Sequence, residues 1–222
     1  MVSQPKPTSD KSPYFDLAEK YNLKIDFRPF ITVQPISAKE FRKDRINIAD
    51  HTAIIFTSKN AINHLFRICE EMRITLPDTT KYFCITEQVA LYLQKYITYR
   101  KRKIFYGANG KFEELLTLID KHKEDKFLLP SSDKYKPEVV EKLNEHGINY
   151  SLAILYMTVA TDMSDIADQN YDVLCFFSPE GIKSLKSNFP NFEQNDIKIA
   201  AFGPTTAKAV EEANLRLDIK AP

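Results

Sequence analysis

The sequence predicts an α/β protein made of two small parallel-sheet α/β domains, one inserted into the other. Three observations lead there. Short apolar runs alternate along the chain with longer stretches of helical period, the pattern of parallel sheets covered by helices on both faces. About ten such runs are too many for one sheet in 222 residues, so two sheets are expected. Two of the extended stretches, Lys24–Thr32 and Asn149–Thr158, are long enough to be crossings between domains. On that division, residues 36–157 form the inserted domain, and residues 1–34 with 159–222 form a discontinuous one. A simple cut near Thr161 is the alternative that pattern alone leaves open.

In chain order, Val2–Gln4, Lys24–Thr32, Ala53–Thr57, Tyr82–Ile85, Lys103–Tyr106, Phe127–Leu129, Asn149–Thr158, Val173–Phe177, Lys198–Phe202 and Arg216–Ile219 read as strands. They are read as strands from their short apolar runs between stretches of helical period. Helical spacing runs through Pro13–Tyr21, Ala38–Ile46, Asn60–Met72, Gln88–Tyr96, Lys111–Lys123, Pro137–His146, Pro179–Asn188 and Pro204–Asn214. The second of these opens on a capping box, Ser37 with Glu40. A weak internal repeat relates AIIFTSKNAINHLF, from Ala53, to VLCFFSPEGIKSLK, from Val173. Each copy is a buried strand ending in a hydroxyl residue that opens a helix.

Composition removes several function classes. A net charge of +1, from 31 basic and 30 acidic residues, supplies no field for nucleic acid or an anionic membrane. The longest unbroken apolar run, Leu152–Met157, is far shorter than the roughly 20 residues of a membrane helix. Cys69, Cys84 and Cys175 are an odd number, widely spaced and in apolar surroundings, as core thiols of a reducing compartment are. A cytoplasmic protein is therefore expected. The four histidines have no ligand spacing with one another or with the cysteines, so no metal is expected, and neither GxGxxG nor a Walker loop occurs. Arg100-Lys101-Arg102-Lys103 is the strongest charge feature; it reads as a solvated loop, an acidic-ligand patch or, least of the three, a nucleic-acid contact.

The chemistry-bearing positions are strand-to-helix corners. Ligands of parallel sheets sit beyond the strand carboxyl ends, where helix N-termini present free amides. Thr57-Ser58, Ser178-Pro179 and Gly203-Pro204-Thr205-Thr206 fall at such corners. Gly203 permits a tight turn and Pro204 suits a first helical position. A corner of this kind favours carboxylates or phosphates; plain helix capping is the competing reading.

At these corners the sequence resembles the uroporphyrinogen-III synthase family, in a bacterial form. The resemblance rests on AIIFTSKNA, on Tyr156-Met157-Thr158, on the SPEGI of Ser178–Ile182 and above all on IAAFGPTTAKAV, and it covers nearly the whole chain in order. It implies two α/β lobes joined by a two-stranded ladder, one lobe inserted into the other. It also implies a cofactor-free hydro-lyase, a monomer acting on hydroxymethylbilane that hydroxymethylbilane synthase could hand over. The product is uroporphyrinogen III, formed with loss of water and inversion of the last pyrrole ring; spontaneous closure gives the type I isomer. The resemblance maps a proton donor onto Tyr156 and substrate binding onto Thr57, Ser58, Thr86, Ser178, Gly203, Thr205 and Thr206. Hydroxide leaves poorly, and a phenol, with an ordinary pKa of about 10, is still protonated at neutral pH.

Two corners depart from the family pattern. Ile85-Thr86-Glu87-Gln88 lacks the usual glycine and carries a carboxylate, and Pro130-Ser131-Ser132-Asp133 replaces an arginine-glycine corner, with Lys134 and Lys136 nearby. Both termini also look short beside the family, at Met1-Val2-Ser3 and at Ala221-Pro222. A binding module of the same fold, for anions or tetrapyrroles and without turnover, is the alternative these departures support.

Overall fold

A computed structural model describes residues 1–9, 11–167 and 169–221. The chain divides into two compact units, Met1–Val33 with Val159–Pro222, and Gln34–Thr158.

The contiguous unit is built on β2 (Ala53–Phe56), β3 (Lys81–Cys84), β4 (Ile104–Tyr106), β5 (Phe127–Ser132) and β6 (Tyr150–Ala160). With β1 (Ile31–Pro35) they form a sheet ordered β1-β6-β5-β2-β3-β4, and the four pairs from β6 to β4 are parallel. Strand alternation sorts its side chains into two cores. Ile54, Phe56, Tyr82, Cys84 and Leu128 pack with α3 (Lys59–Met72) and α4 (Glu87–Tyr92). Ala53, Ile55, Phe83, Phe127 and Leu129 pack instead with α5 (Phe112–Ile119) and α6 (Pro137–Glu145). The chain runs from β2 outward to β4, then returns to the other side of β2 for β5 and β6. The order therefore reverses between β2 and β5, the place where doubly wound sheets open a ligand crevice.

Both crossings run through β1 and β6, which are neighbours in the sheet. The amide of Thr161 donates to Phe30 O and that of Ile36 to Leu155 O, so the two segments run antiparallel. The first crossing is shorter than the expected Lys24–Thr32: regular pairing begins at Ile31, because Pro29 has no amide to donate. Ahead of it, Phe27 makes only an isolated bridge to Val2, which also bridges Cys175. The expected strand Val2–Gln4 is likewise a bridge, cut short by Pro5.

The discontinuous unit holds α1 (Pro13–Tyr21) and a parallel sheet ordered β7 (Val173–Phe176), β8 (Lys198–Phe202), β9 (Ile219–Ala221). Its core joins Leu174, Phe176, Ile199 and Ala201 to Ile182 and Leu185 of α7 (Pro179–Asn188) and Ala207 and Val210 of α8 (Pro204–Glu212). The last strand starts later than the expected Arg216–Ile219. Among the described residues no helix is long and apolar enough to cross a membrane.

Candidate functional site

Pairing between β2 and β5 stops after Ala53–Phe127 and Ile54–Leu128, although β5 continues to Ser132. Pro130 fits there because no neighbour on the β2 side awaits its amide. The strands part, and a cavity of about 360 Å³ opens at their carboxyl ends. Thr57 and Ser58 line it from the turn that follows β2, Ser131 and Ser132 from β5, and Tyr156 from β6.

Tyr156 is placed by a bulge. Opposite β5 the register passes from Ser131–Ile154 to Ser132–Tyr156, skipping Leu155, so consecutive Leu155 and Tyr156 both pack in the α3-side core. Asp133 fixes the bend: its amide donates to Tyr156 O at 3.2 Å, and its carboxylate accepts from the amide of Thr158 at 2.8 Å. The Tyr156 ring is 7% exposed and stacks on the His64 imidazole at 4.6 Å, while its hydroxyl lies 3.3 Å from Ser58 Oγ. Ser58 is also the N-cap of α3, accepting from the amide of Ala61 at 3.1 Å. Tyr156 thus sits where pairing with β5 ends, four residues before β6 itself ends.

His64 is held neutral: burial, then the charge of Arg67, pushes its pKa down. Arg67 Nε donates to His64 Nδ1 at 3.4 Å, which leaves the ring proton on Nε2. The same guanidinium donates to Ile36 O and Leu155 O, at 2.7 and 3.3 Å, and pairs with Glu71 at 2.6 Å. Glu71 in turn accepts from the amide of Ala38, so α3, the start of α2 (Ala38–Phe41) and the strand beside Tyr156 are tied together.

Lys111, Lys134 and Lys136 also line the cavity, with Glu113 and Glu138 among them. Glu113 is engaged by Lys142, which together with its own backbone amide holds its carboxyl below the usual range. The cavity can therefore take an anion through ammonium groups.

In the other unit, Ser178 caps α7 by accepting from the amide of Gly181 at 3.3 Å. Gly203 precedes α8 with φ +83°, ψ 154°, and among the described residues no side chain caps that helix. Thr205 is exposed at the first turn, but Thr206 is only 1% exposed. The expected ligand role of the Thr206 hydroxyl is thereby corrected: its side chain belongs to the interior, and its amide is what the corner offers.

Three features were not legible beforehand. His64 beneath Tyr156 looks in the sequence like any helical histidine. Lys111 is far in sequence from Lys134 and Lys136, which were already in view beside the Pro130–Asp133 corner, and only the fold adds it to them. Phe177 and Phe202, stacked at 4.3 Å, follow β7 and end β8 beside Ser178 and Gly203, with Phe202 39% exposed. A fourth cluster, His122, Glu124 and Asp125, brings three possible metal ligands within 4.8 Å of one another. Lys81 already serves it as the cation, 2.6 Å from Asp125 Oδ2 and 3.2 Å from His122 Nδ1.

The family model for uroporphyrinogen-III synthase HemD matches residues 12–222. The chain belongs to the uroporphyrinogen-III synthase family. Its fold is similar to that of a mutant uroporphyrinogen III synthase from the extreme thermophile Thermus thermophilus, with TM-score 0.61 and 16% identity over 100% of this chain and 91% of that one. The uroporphyrinogen-III synthetase of Helicobacter pylori gives TM-score 0.61 and 19% identity over 89% and 88% of the respective chains. At these identities the likeness establishes the fold. Curated protein sequences gave no match. The family assigns this chain uroporphyrinogen-III synthase function, in tetrapyrrole and haem biosynthesis.

The two corners that depart from the uroporphyrinogen-III synthase pattern are now explicit. Thr86 caps α4, accepting from the amide of Val89 at 3.3 Å, and it does not line the Tyr156 cavity. The Glu87 carboxylate accepts from the Tyr106 hydroxyl at 3.1 Å. At Pro130–Asp133 the backbone follows β6, and Ser131, Ser132, Lys134 and Lys136 face the cavity.

Proposed function

We propose that this chain closes hydroxymethylbilane to uroporphyrinogen III without a cofactor, as a hydro-lyase, and that Tyr156 gives the proton on which hydroxide departs. The observation that supports the reading most is a phenol opening into a lysine-lined cavity with a second hydroxyl beside it. When Ser58 donates to the Tyr156 oxygen, the phenol proton is free for the substrate, and the same bond stabilises the phenolate left after transfer. Loss of hydroxide gives an azafulvene, and the substituted carbon of the last pyrrole attacks it to form a spiro intermediate. The original bond at that carbon then breaks to give a second azafulvene. Reclosure at the ring's free carbon, whose proton returns to the phenolate, gives the inverted macrocycle. The expelled hydroxide and the phenol proton account for the water lost.

Substrate carboxylates meet ammonium groups at Lys111, Lys134 and Lys136, together with the Thr57-Ser58 corner. The Ser178 and Gly203–Thr205 corners offer helix amides, and α8, uncapped by any described side chain, is the more open. Thr86 contributes least, since its hydroxyl caps α4 and it does not line the Tyr156 cavity. The protein acts as a cytoplasmic monomer that receives its substrate from hydroxymethylbilane synthase.

The Glu87 carboxylate at an anion corner favours a second reading, a tetrapyrrole-binding module without turnover. Freshly made hydroxymethylbilane separates the two. Type III product above the spontaneous background supports the enzyme; type I alone at the background rate, with saturable binding, supports the module.

A further inference from the structure

The contiguous unit has a second cavity, of about 390 Å³, at the opposite end of its strands. Thr80, just before β3, and Ile104, the first residue of β4, lie in its wall, whereas the Tyr156 cavity lies at strand carboxyl ends. The size falls in the range of small-ligand sites.

Its walls are aromatic and rigid. Phe66 and Tyr96 stack face to face at 4.6 Å with their planes 3° apart, and the Tyr96 hydroxyl is anchored on Asn63 Oδ1 at 2.8 Å. Tyr82 is buried beside them, and burial lifts its phenol to about 12. Cys69, raised to about 11 by burial, adds a protonated thiol.

One polar group in that wall lacks a partner. Thr80 is 2% exposed, and its Oγ1 makes no hydrogen bond among the described residues. A buried hydroxyl without a partner costs about 1–3 kcal/mol, so such groups are rare in native proteins. The rim carries the basic run: Arg100 and Lys103 both line the cavity. Arg100 touches Asp78 at 3.6 Å, but that carboxylate is almost fully exposed and the pair is weak.

We infer that this cavity binds a small flat aromatic carboxylate. Its ring lies against the Phe66–Tyr96 pair and its carboxylate meets Arg100 and Lys103 in place of Asp78. The Arg100 guanidinium matches a planar carboxylate in a way a lone ammonium does not. The site is separate from Tyr156, so its ligand need not be the substrate.

The test uses the full chain and 2-naphthoate, followed by amide chemical shifts and by calorimetry. Saturable binding to one site is expected, with shifts at Thr80, Tyr96 and Lys103. The neutral analogue 2-naphthol should bind at least about tenfold more weakly, as should the acid to an Arg100→Ala/Lys103→Ala variant, because hydrogen bonds to charged groups are lost. The inference is overturned by the absence of saturable shifts at millimolar naphthoate, by equal affinity in the double variant, or by shifts confined to Ser58 and Tyr156. Both charged side chains are on the rim, so the double variant should fold as the wild type does.

Discussion

The two units repeat one device and use it differently. Ser58 and Ser178 each follow a β-strand in nearly the same backbone conformation, φ −159° and −154°, and each caps a helix through the amide three residues on. Ser58 has one further neighbour, the Tyr156 hydroxyl, whereas among the described residues the Ser178 hydroxyl makes only its cap. The next corners differ more. Thr86 and Gly203 share ψ, 163° and 154°, but φ is −142° at Thr86 and +83° at Gly203. The threonine spends its hydroxyl on the first helical turn, while the glycine leaves that turn uncapped. The Thr86 corner is closed by its own side chain, and the Gly203 corner is not.

The largest expected effect falls on the neighbour that only Ser58 has. Tyr156→Phe keeps the ring stacked on His64 and removes the hydroxyl, so turnover to type III product should fall about 10²–10⁴-fold, the worth of a positioned acid. Substrate binding should change little, since the donor acts as the bond to hydroxide breaks. Retention of more than about a third of wild-type turnover would move the donor elsewhere, to a water bound by amides of the cavity.

Glycine and threonine corners should next separate by stability. Gly203→Val has open space, with nothing within 4 Å of an added Cβ, yet it forces a side chain to φ +83°. Strain of this kind costs about 1–3 kcal/mol. Thr86→Gly loses only a cap, and the cost runs from a few tenths to about 2 kcal/mol. Chemical denaturation should rank the glycine replacement as the more damaging, and activity should drop with it. Equal losses would mean that φ is relaxed at Gly203.

The two serines give a finer contrast. Ser58→Ala and Ser178→Ala each remove a cap and should each lower stability by about 1 kcal/mol. Only Ser58→Ala should also lower turnover per folded molecule, because it alone touches Tyr156. Thr205→Ala, at an exposed position, should leave the melting temperature in place and weaken substrate binding by about 1 kcal/mol. A large drop in melting with unchanged activity would make that residue part of the fold.

The smallest effect is set by pH. All four histidines lie in the contiguous unit, and two of them, His51 and His64, have lowered pKa values, both chiefly through burial. His51 donates from Nδ1 to Asn47 O at 2.9 Å, its Nε2 lies 2.9 Å from the Ser151 hydroxyl, and burial favours the neutral ring. Below about 6.5 the unfolded chain binds protons that these folded imidazoles refuse. The stabilisation is full above that pH and is lost as pH falls from there toward the folded values. Amide exchange at pH 7.5 and 5.5 should show protection falling in the contiguous unit and holding in the other. Equal losses in both would assign the pH response to other groups.

Much of this was legible in local sequence. Short unbroken apolar runs alternating with stretches of helical spacing pointed to the α/β class, because strands of a parallel sheet are buried on both faces while the covering helices bury only one. The corners Thr57-Ser58, Ser178-Pro179 and Gly203–Thr206 followed from the same reasoning, since strand ends and caps are chosen by residues a few positions apart. Tertiary structure alone decided which hydroxyls have partners. The bulge at Leu155 turns Tyr156 onto His64, 92 residues away, and the parting of β2 from β5 after Leu128 opens the cavity beside it. Thr206 looks like Thr205 in sequence, yet helix geometry sends one hydroxyl inward and leaves the other exposed. The physical reason is range: capping and amphipathic spacing act within a few residues, whereas register, bulges and cavities depend on which distant segments the sheet brings side by side.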